Sequence, residues 1–274
     1  MLIRTWNLFH GNTVPPGRRA YLREMIDLIT ADKPDVVCLQ EVPAWALESV
    51  GEWGGMQAVS ARAKRPTLGP FPIPSSLGRA LTAPHHGLFR SAFAGQGNAI
   101  LIPRDAKIRN TKTITLNTNV FCEEQGAKLG LSPKMMRWWE KERRVCHLVQ
   151  YELPDRRRFL VANLHATSHQ ADLRLADAEL RRATNFIVRG SEIEETLVVA
   201  GDFNITREHS ETIQALMTAP PEERWTDSGP QIDHVLVRGA VAASVRVWPD
   251  AEREYEGRLL SDHAPVEVEL PLDD

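Results

Sequence analysis

Two spacings of apolar residues run along the chain. Residues 2–6, 35–41, 97–102, 145–153, 159–164, 197–200, 232–237, 241–247 and 266–270 are short runs rich in Val, Ile and Leu. They read as strands, several of them buried on both faces. Residues 18–32 follow the other spacing, with Tyr21, Leu22, Met25, Ile26, Leu28 and Ile29 on one side. This predicts a helix, which Lys33-Pro34 ends. Residues 169–190 predict a longer helix, with Leu173, Ala176, Leu180, Ala183 and Ile187 on one face. Strand, helix and strand in succession point to a right-handed crossover between parallel strands. The runs 145–153 and 159–164 flank Pro154-Asp155-Arg156-Arg157-Arg158, so a hairpin is expected there. Ile108, Ile114 and Leu116 make 108–116 a strand, expected to pair with 97–102. Residues 206–230 read as helix and loop.

The strands share one feature: their ends are polar. The first ends at Asn7, the second at Glu41, and the 159–164 run continues into Asn163-Leu164-His165. Leu197-Val198-Val199-Ala200 runs into Gly201-Asp202-Phe203-Asn204, where Gly201 is expected to break the strand. Asp262 and His263 precede the last strand, and Asp233 opens the 232–237 run. In a strand, positions i and i+2 leave the same face, which pairs Asn163 with His165 and Asp202 with Asn204. Ligands of α/β proteins bind at such strand ends. The alternative for Asp202 and Asn204 is an Asx turn that caps its own backbone.

Two segments break the pattern. Residues 61–95 contain Pro66, Pro70, Pro72, Pro74 and Pro84 and read as a long loop. The charges there are Arg62, Lys64, Arg65, Arg79 and Arg90, without Asp or Glu, a bias that suits a phosphate-bearing ligand. Residues 122–144 are polar and partly helical, with Trp138 and Trp139 among Arg137, Arg143 and Arg144. Aromatics among arginines either clamp nucleotides or pack.

The chain's 274 residues are enough for one large α/β domain or two small ones. A net charge of −3 gives no global attraction to nucleic acid, so any such binding rests on a local patch. Cys38, Cys122 and Cys146 are too few and scattered for a disulfide framework or a zinc site. No run approaches the length of a membrane span. The N-terminal residues are strand-like, without a charged-then-apolar leader, which points to a reducing, cytoplasmic setting.

Glu41, Asp202 and Asp262, with nearby amides, are oxygen ligands that suit a hard cation such as Mg²⁺ or Mn²⁺. His165 and His263 can hydrogen-bond phosphate oxygens or move protons. Asp233 can orient one of them. With no Gly-rich phosphate loop and no Ser or Cys nucleophile elbow, water activated near a metal is the expected nucleophile.

Thr5-Trp6-Asn7, Leu39-Gln40-Glu41, Gly97-Asn98-Ala99-Ile100-Leu101, Asn163-Leu164-His165, Gly201-Asp202-Phe203-Asn204, Ile232-Asp233-His234 and Ser261-Asp262-His263 follow in order. That series resembles the endonuclease/exonuclease/phosphatase superfamily, the deoxyribonuclease-I-like fold. The resemblance implies a four-layer α/β/β/α sandwich of two mixed β-sheets with helices on the outer faces. It implies a single domain over 1–274, with loop insertions near 61–95 and 122–144. It also implies roles. Glu41 would be the principal Mg²⁺ ligand, with Asn7 and Asp262 nearby or completing the shell. Asp202 would activate or orient the attacking water, and Asn204 would hold a phosphate oxygen. His165 and His263 would stabilise the phosphorane-like state, with Asp233 orienting His263. The expected activity is a Mg²⁺-dependent phosphodiesterase of the nuclease type, acting as a monomer on nucleic acid and not at a membrane. A small phosphorylated molecule or lipid head group is the alternative substrate, and a non-catalytic binding protein on the same fold is the rival class.

Overall fold

In the central strands, successive side chains face opposite sides, as a pleated strand requires. The structure, a computed structural model, describes residues 1–192 and 195–271, and the backbone alone over 89–92. Arg90 of the first irregular segment therefore lies outside the described side chains. Among the described residues the main strands form two six-stranded sheets. The first runs Ser244–Val247, Val266–Glu269, Leu2–Asn7, Val36–Val42, Gln96–Ile102, Gln57–Lys64. The second runs Thr226–Asp227, Asp233–Arg238, Thr196–Asp202, Arg158–His165, Val145–Glu152, Lys107–Thr115.

Each sheet has one parallel pair at its centre, Leu2–Asn7 with Val36–Val42 and Arg158–His165 with Thr196–Asp202. A parallel pair needs a crossover, and helices Leu22–Thr30 and Arg174–Gly190 supply it. Ile3, Cys38, Ile100, Val161, Val198 and Val235 fill the space between the sheets. Met25, Ile26 and Ile29 pack on Val37, Leu39 and Leu101 outside the first sheet. Leu180, Ala183 and Ile187 pack on Leu160, Leu197 and Val199 outside the second. The result is the expected four-layer α/β/β/α sandwich, and the expected 145–153/159–164 hairpin is present.

Two expectations are corrected. Lys107–Thr115 pairs with Val145–Glu152 in the second sheet, not with Gln96–Ile102, which lies between Val36–Val42 and Gln57–Lys64 in the first. The short turn after Ile102 carries the chain from one sheet to the other, and a turn signal alone cannot distinguish that from a hairpin. Residues 61–95 are not a loop. They hold the end of the Gln57–Lys64 strand, a Thr67–Leu68/Phe71–Pro72 hairpin, and helices Ser75–Thr82 and His86–Phe93. Pro74 stands just before the first of these helices, outside its hydrogen-bonded interior, where a proline does not break it. Residues 122–144 fall mostly in helices Asn119–Lys128 and Pro133–Lys141, capped by Thr118 and Ser132. Phe121, Cys122 and Trp139 seat them on Leu175 and Ala178. All three cysteines are free and buried. Among the described residues, no helix is long and apolar enough to cross a membrane.

Toward one end of the sandwich the inner stripe turns polar. Thr5, Gln40, Asn98, His147 and Asn163 are buried there. Gln40 Nε2 donates to Asn163 Oδ1 (2.9 Å) across the sheets and to Thr5 Oγ1 (3.0 Å). Asn163 Nδ2 donates to the carbonyls of Leu39 and Ala99, both at 2.9 Å. Burial lowers the His147 imidazole to about 4, despite its contact with the Val59 carbonyl at 3.2 Å. The unfolded chain therefore binds a proton that the folded one refuses between its ordinary pKa, about 6.5, and 4. This stability is present above that window and is lost as pH falls through it, on the order of 3 kcal/mol in full. His147→Gln should lose melting temperature less steeply than the parent between pH 6.5 and 4. Parallel slopes for the two proteins would contradict this reading.

Candidate active site

The site is the next inner position beyond the polar layer. Ile3, Thr5 and Asn7 share one face of their strand; Val161, Asn163 and His165 share another; Val198, Ala200 and Asp202 a third. Register places His165 beside Asp202 and Asp202 beside Asp233 on three adjacent strands. From the opposite sheet, Asn7 Nδ2 donates to Asp202 Oδ2 at 3.0 Å. The Asp202 carboxylate is thus the point where both sheets meet.

Glu41 reaches the site by a different device. Strict alternation would send it outward with Leu39. A register shift between Leu39 and Val42 and a left-handed backbone (φ 52°) re-aim it. Its carboxylate lies 3.2 Å from His10 Nε2 and 3.9 Å from His165 Nε2. His10 (φ 55°), Asn204 (φ 51°) and Ser261 (φ 64°) are also left-handed. Such strain in non-glycine residues gathers where surrounding structure holds a functional geometry.

The Thr196–Asp202 strand does not break at Gly201, as its sequence suggests. Gly201 is paired with Leu164 inside the sheet. A Cβ there would lie 1.9 Å from the Leu164 carbonyl oxygen, so only glycine lets the two strands approach. After Asp202 the chain turns. Asn204 N donates to Asp202 Oδ1 at 3.0 Å, which is the Asx turn, and Asn204 Nδ2 donates to the Ala166 carbonyl at 3.0 Å. Asp202 therefore caps with one oxygen and faces the site with the other.

His263 Nδ1 lies 2.8 Å from Asp233 Oδ2, and its Nε2 lies 3.8 Å from Asp202 Oδ2. Burial pushes this imidazole down, but the bond to Asp233 and the charges of Asp233, Asp202 and Asp262 outweigh it. They raise His263 to about 10. His165 goes the other way. Burial, then the adjacent Arg144 guanidinium, hold it well below the usual histidine value. Arg144 Nη1 lies 3.0 and 2.9 Å from its two ring nitrogens. One histidine is a cation and the other neutral, and both flank Asp202, with His165 Nε2 at 3.5 Å. Burial and the Asp233 charge push Asp202 up, well above the ordinary carboxylate range.

The loop carrying His263 is tied down from several sides. Arg253 Nη1 donates to the carbonyls of Leu260 (3.1 Å), Ser261 (3.0 Å) and His263 (3.1 Å), and Trp6 Nε1 donates to the His263 carbonyl at 2.8 Å. Ser261 Oγ donates to the Asn7 carbonyl at 2.6 Å, joining this loop to the first strand.

The structure thus brings together Asn7, Glu41, His165, Asp202, Asn204, Asp233 and His263. Asp262 differs: its side chain is exposed, and it acts on the site through its charge on His263. His10 has no site role in the sequence reading, and Arg144 stands there only as one of several arginines beside Trp138 and Trp139, not as a neighbour of His165. Arg144 was legible in principle, since the pairing of Cys146 with Leu164, continued by two residues, sets it next to the His165 end. The donor set fits a hard cation. Asn7, Glu41, Asp202 and Asp233 offer oxygens, Asp233 Oδ1 is buried with no hydrogen-bond partner, and the crowded Asp202–Asp233 charge favours a cation.

The sequence profile of the endonuclease/exonuclease/phosphatase family matches residues 5–263. The chain belongs to this family. A search among curated proteins finds no match. Solved structures agree on the fold. An endonuclease/exonuclease/phosphatase from Beutenbergia cavernae superposes with a TM-score of 0.67 at 17% identity, covering 99% of this chain and 71% of that one. D. rerio TDP2 complexed with a single-strand DNA product gives 0.65 at 13% identity, covering 99% of each chain. A mannosyl-6-phosphatase from Bacteroides thetaiotaomicron gives 0.64 at 15% identity, covering 99% of this chain and 100% of that one.

In this family member the approach at Gly201 sets the spacing of His165 and Asp202. Gly201→Ala should cost about 3 kcal/mol in urea denaturation, because the added methyl meets backbone. A loss below about 0.5 kcal/mol would show that the two strands part easily.

Proposed function

We propose that the chain is a Mg²⁺- or Mn²⁺-dependent phosphoester hydrolase, and within that class a phosphodiesterase of the nuclease type. The observation that carries this is a carboxylate, Asp202, flanked by one cationic and one neutral imidazole at a cluster of oxygen donors. Glu41 and Asn7 would hold the metal, with Asp262 at the rim. The metal supplies charge neutralisation at the phosphate and a more acidic water. Asp202, with its raised proton affinity, would orient the attacking water and take its proton. His263 presents an imidazolium N–H to a phosphoryl oxygen, and Asp233 keeps it charged. His165 stays neutral and donates without adding positive charge beside Arg144. Asn204 offers its second amide hydrogen to a phosphate oxygen.

A second reading, hydrolysis of a small phosphorylated molecule, is favoured by a cavity of about 290 Å³ beside His10 and Arg144. The neighbours TDP2, with its single-strand DNA product, and mannosyl-6-phosphatase illustrate both substrate classes on this fold.

A panel of oligonucleotide, sugar-phosphate and simple diester substrates tests the proposal. Turnover should require Mg²⁺ or Mn²⁺ and vanish with chelator. Asp202→Asn and His263→Ala should each lower kcat on the order of a hundredfold or more with small changes in KM. The double variant should be little worse than the poorer single one, since the groups act as a unit. Turnover that survives chelation would sink the proposal.

A further inference from the structure

We infer that the cavity beside His165 is a subsite for a ring that carries a second phosphate; this rests on the phosphoesterase reading of the adjoining site. The cavity, about 290 Å³, is lined by His10, Lys64, Trp138, Lys141, Glu142 and Arg144 among others. It meets the catalytic cluster at two points. His10 Nε2 lies 3.2 Å from Glu41, and Arg144 Nη1 lies 2.9 Å from His165 Nε2. A group bound in it lies next to the reacting phosphate.

The lining carries three fixed cations against one carboxylate. That carboxylate, Glu142, is already engaged: it accepts from Gln96 Nε2 at 2.7 Å and lies 3.3 Å from Arg144. Among the described residues, Lys64 and Lys141 have no carboxylate within 4.0 Å. Arg144 is 6% exposed, and its Nε is buried without a partner. A buried guanidinium whose nearest carboxylate is half in solvent leaves an excess of positive charge, which an anion would neutralise. Guanidinium and ammonium groups together recognise phosphate.

The wall is built to hold a ring. Trp138 is 43% exposed and is fixed by an edge contact with His169 at 4.5 Å. Its neighbour Trp139 is buried and donates to Glu179 at 2.6 Å, and Glu179 also accepts from Thr167 N at 2.7 Å. Asn117 Nδ2 holds the carbonyls of Trp139 and Glu142, both at 2.7 Å. The irregular segments 61–95 and 122–144 thus contribute an aromatic surface and two free ammonium groups to one preformed cavity. Its volume sits at the low end of the several hundred Å³ usual for small-ligand pockets, which admits one ring with its phosphate and not a duplex. A nucleotide and a sugar phosphate share this chemistry.

The test is inhibition of methyl 4-nitrophenyl phosphate hydrolysis by matched ligands. These are thymidine 3′,5′-bisphosphate with thymidine 5′-monophosphate, a hexose bisphosphate with its monophosphate, and inorganic phosphate. At least one bisphosphate should bind about tenfold or more tightly than its monophosphate. The combined Lys64→Ser and Lys141→Ser variant should erase that ratio, and Trp138→Ala should narrow the gap between the monophosphate and inorganic phosphate. Whichever pair shows the larger ratio identifies the ring. Equal inhibition by bisphosphate and monophosphate in the parent, or a ratio that survives the double substitution, would overturn the subsite. If the diester is not hydrolysed at all, the reading of the adjoining site fails. Calorimetric binding of the bisphosphates to parent and double variant then decides the subsite separately.

Discussion

The hydrogen bond from Gln40 Nε2 to Asn163 Oδ1 joins the two sheets where the apolar core ends. Both amides are fully buried, and each makes further bonds to strand backbone or to Thr5. The amide N–H groups of Gln40 and Asn163 tie this layer into a connected set, with Gln40 Oε1 left buried and without a partner. It closes the apolar sandwich below and gives a fixed floor above. Asn7 and His165 are the next inner residues after Thr5 and Asn163 on their strands, and Asp202 is set beside His165 by strand register. The chemistry of the site is therefore a continuation of the packing of the sandwich.

Burial does two opposite things at this floor. It lowers His165 and raises Asp202, because removing water penalises whichever form is charged. At His263 the carboxylate of Asp233 reverses the outcome. The two histidines are separated in charge by their neighbours, Arg144 for one and Asp233 for the other. Pairs of groups pushed apart in this way are how one site holds an acid and a base at the same pH.

Much of this was legible because strand geometry has a period of two. Asn163 and His165 had to share a face, and the hairpin and the two crossover helices were marked by turns and helical spacing. What could not be read was tertiary. The 107–115 strand left its sequence neighbour for the other sheet, and nothing local distinguishes the two pairings. Prolines concealed the helices at 75–82 and 86–93, where Pro74 sits at a cap. Glu41 enters the site through a bulge, which alternation alone does not foresee. Trp138 and Trp139 divide between the two uses open to such a pair: Trp139 packs, and Trp138 stays exposed at a cavity. His10 lies in a segment without period, and only the fold shows that it meets Glu41, whereas the approach of Arg144 to His165 follows from the hairpin register.

The central claim is that polar strand ends from both sheets form one cation-binding phosphoesterase site. Calorimetric titration of the protein with Mn²⁺ tests it most directly, comparing the parent with Glu41→Gln. The account predicts one saturable site in the parent and an affinity at least about tenfold weaker in the variant, with an unchanged circular dichroism spectrum. Undiminished Mn²⁺ binding by Glu41→Gln, or none by the parent, would contradict it.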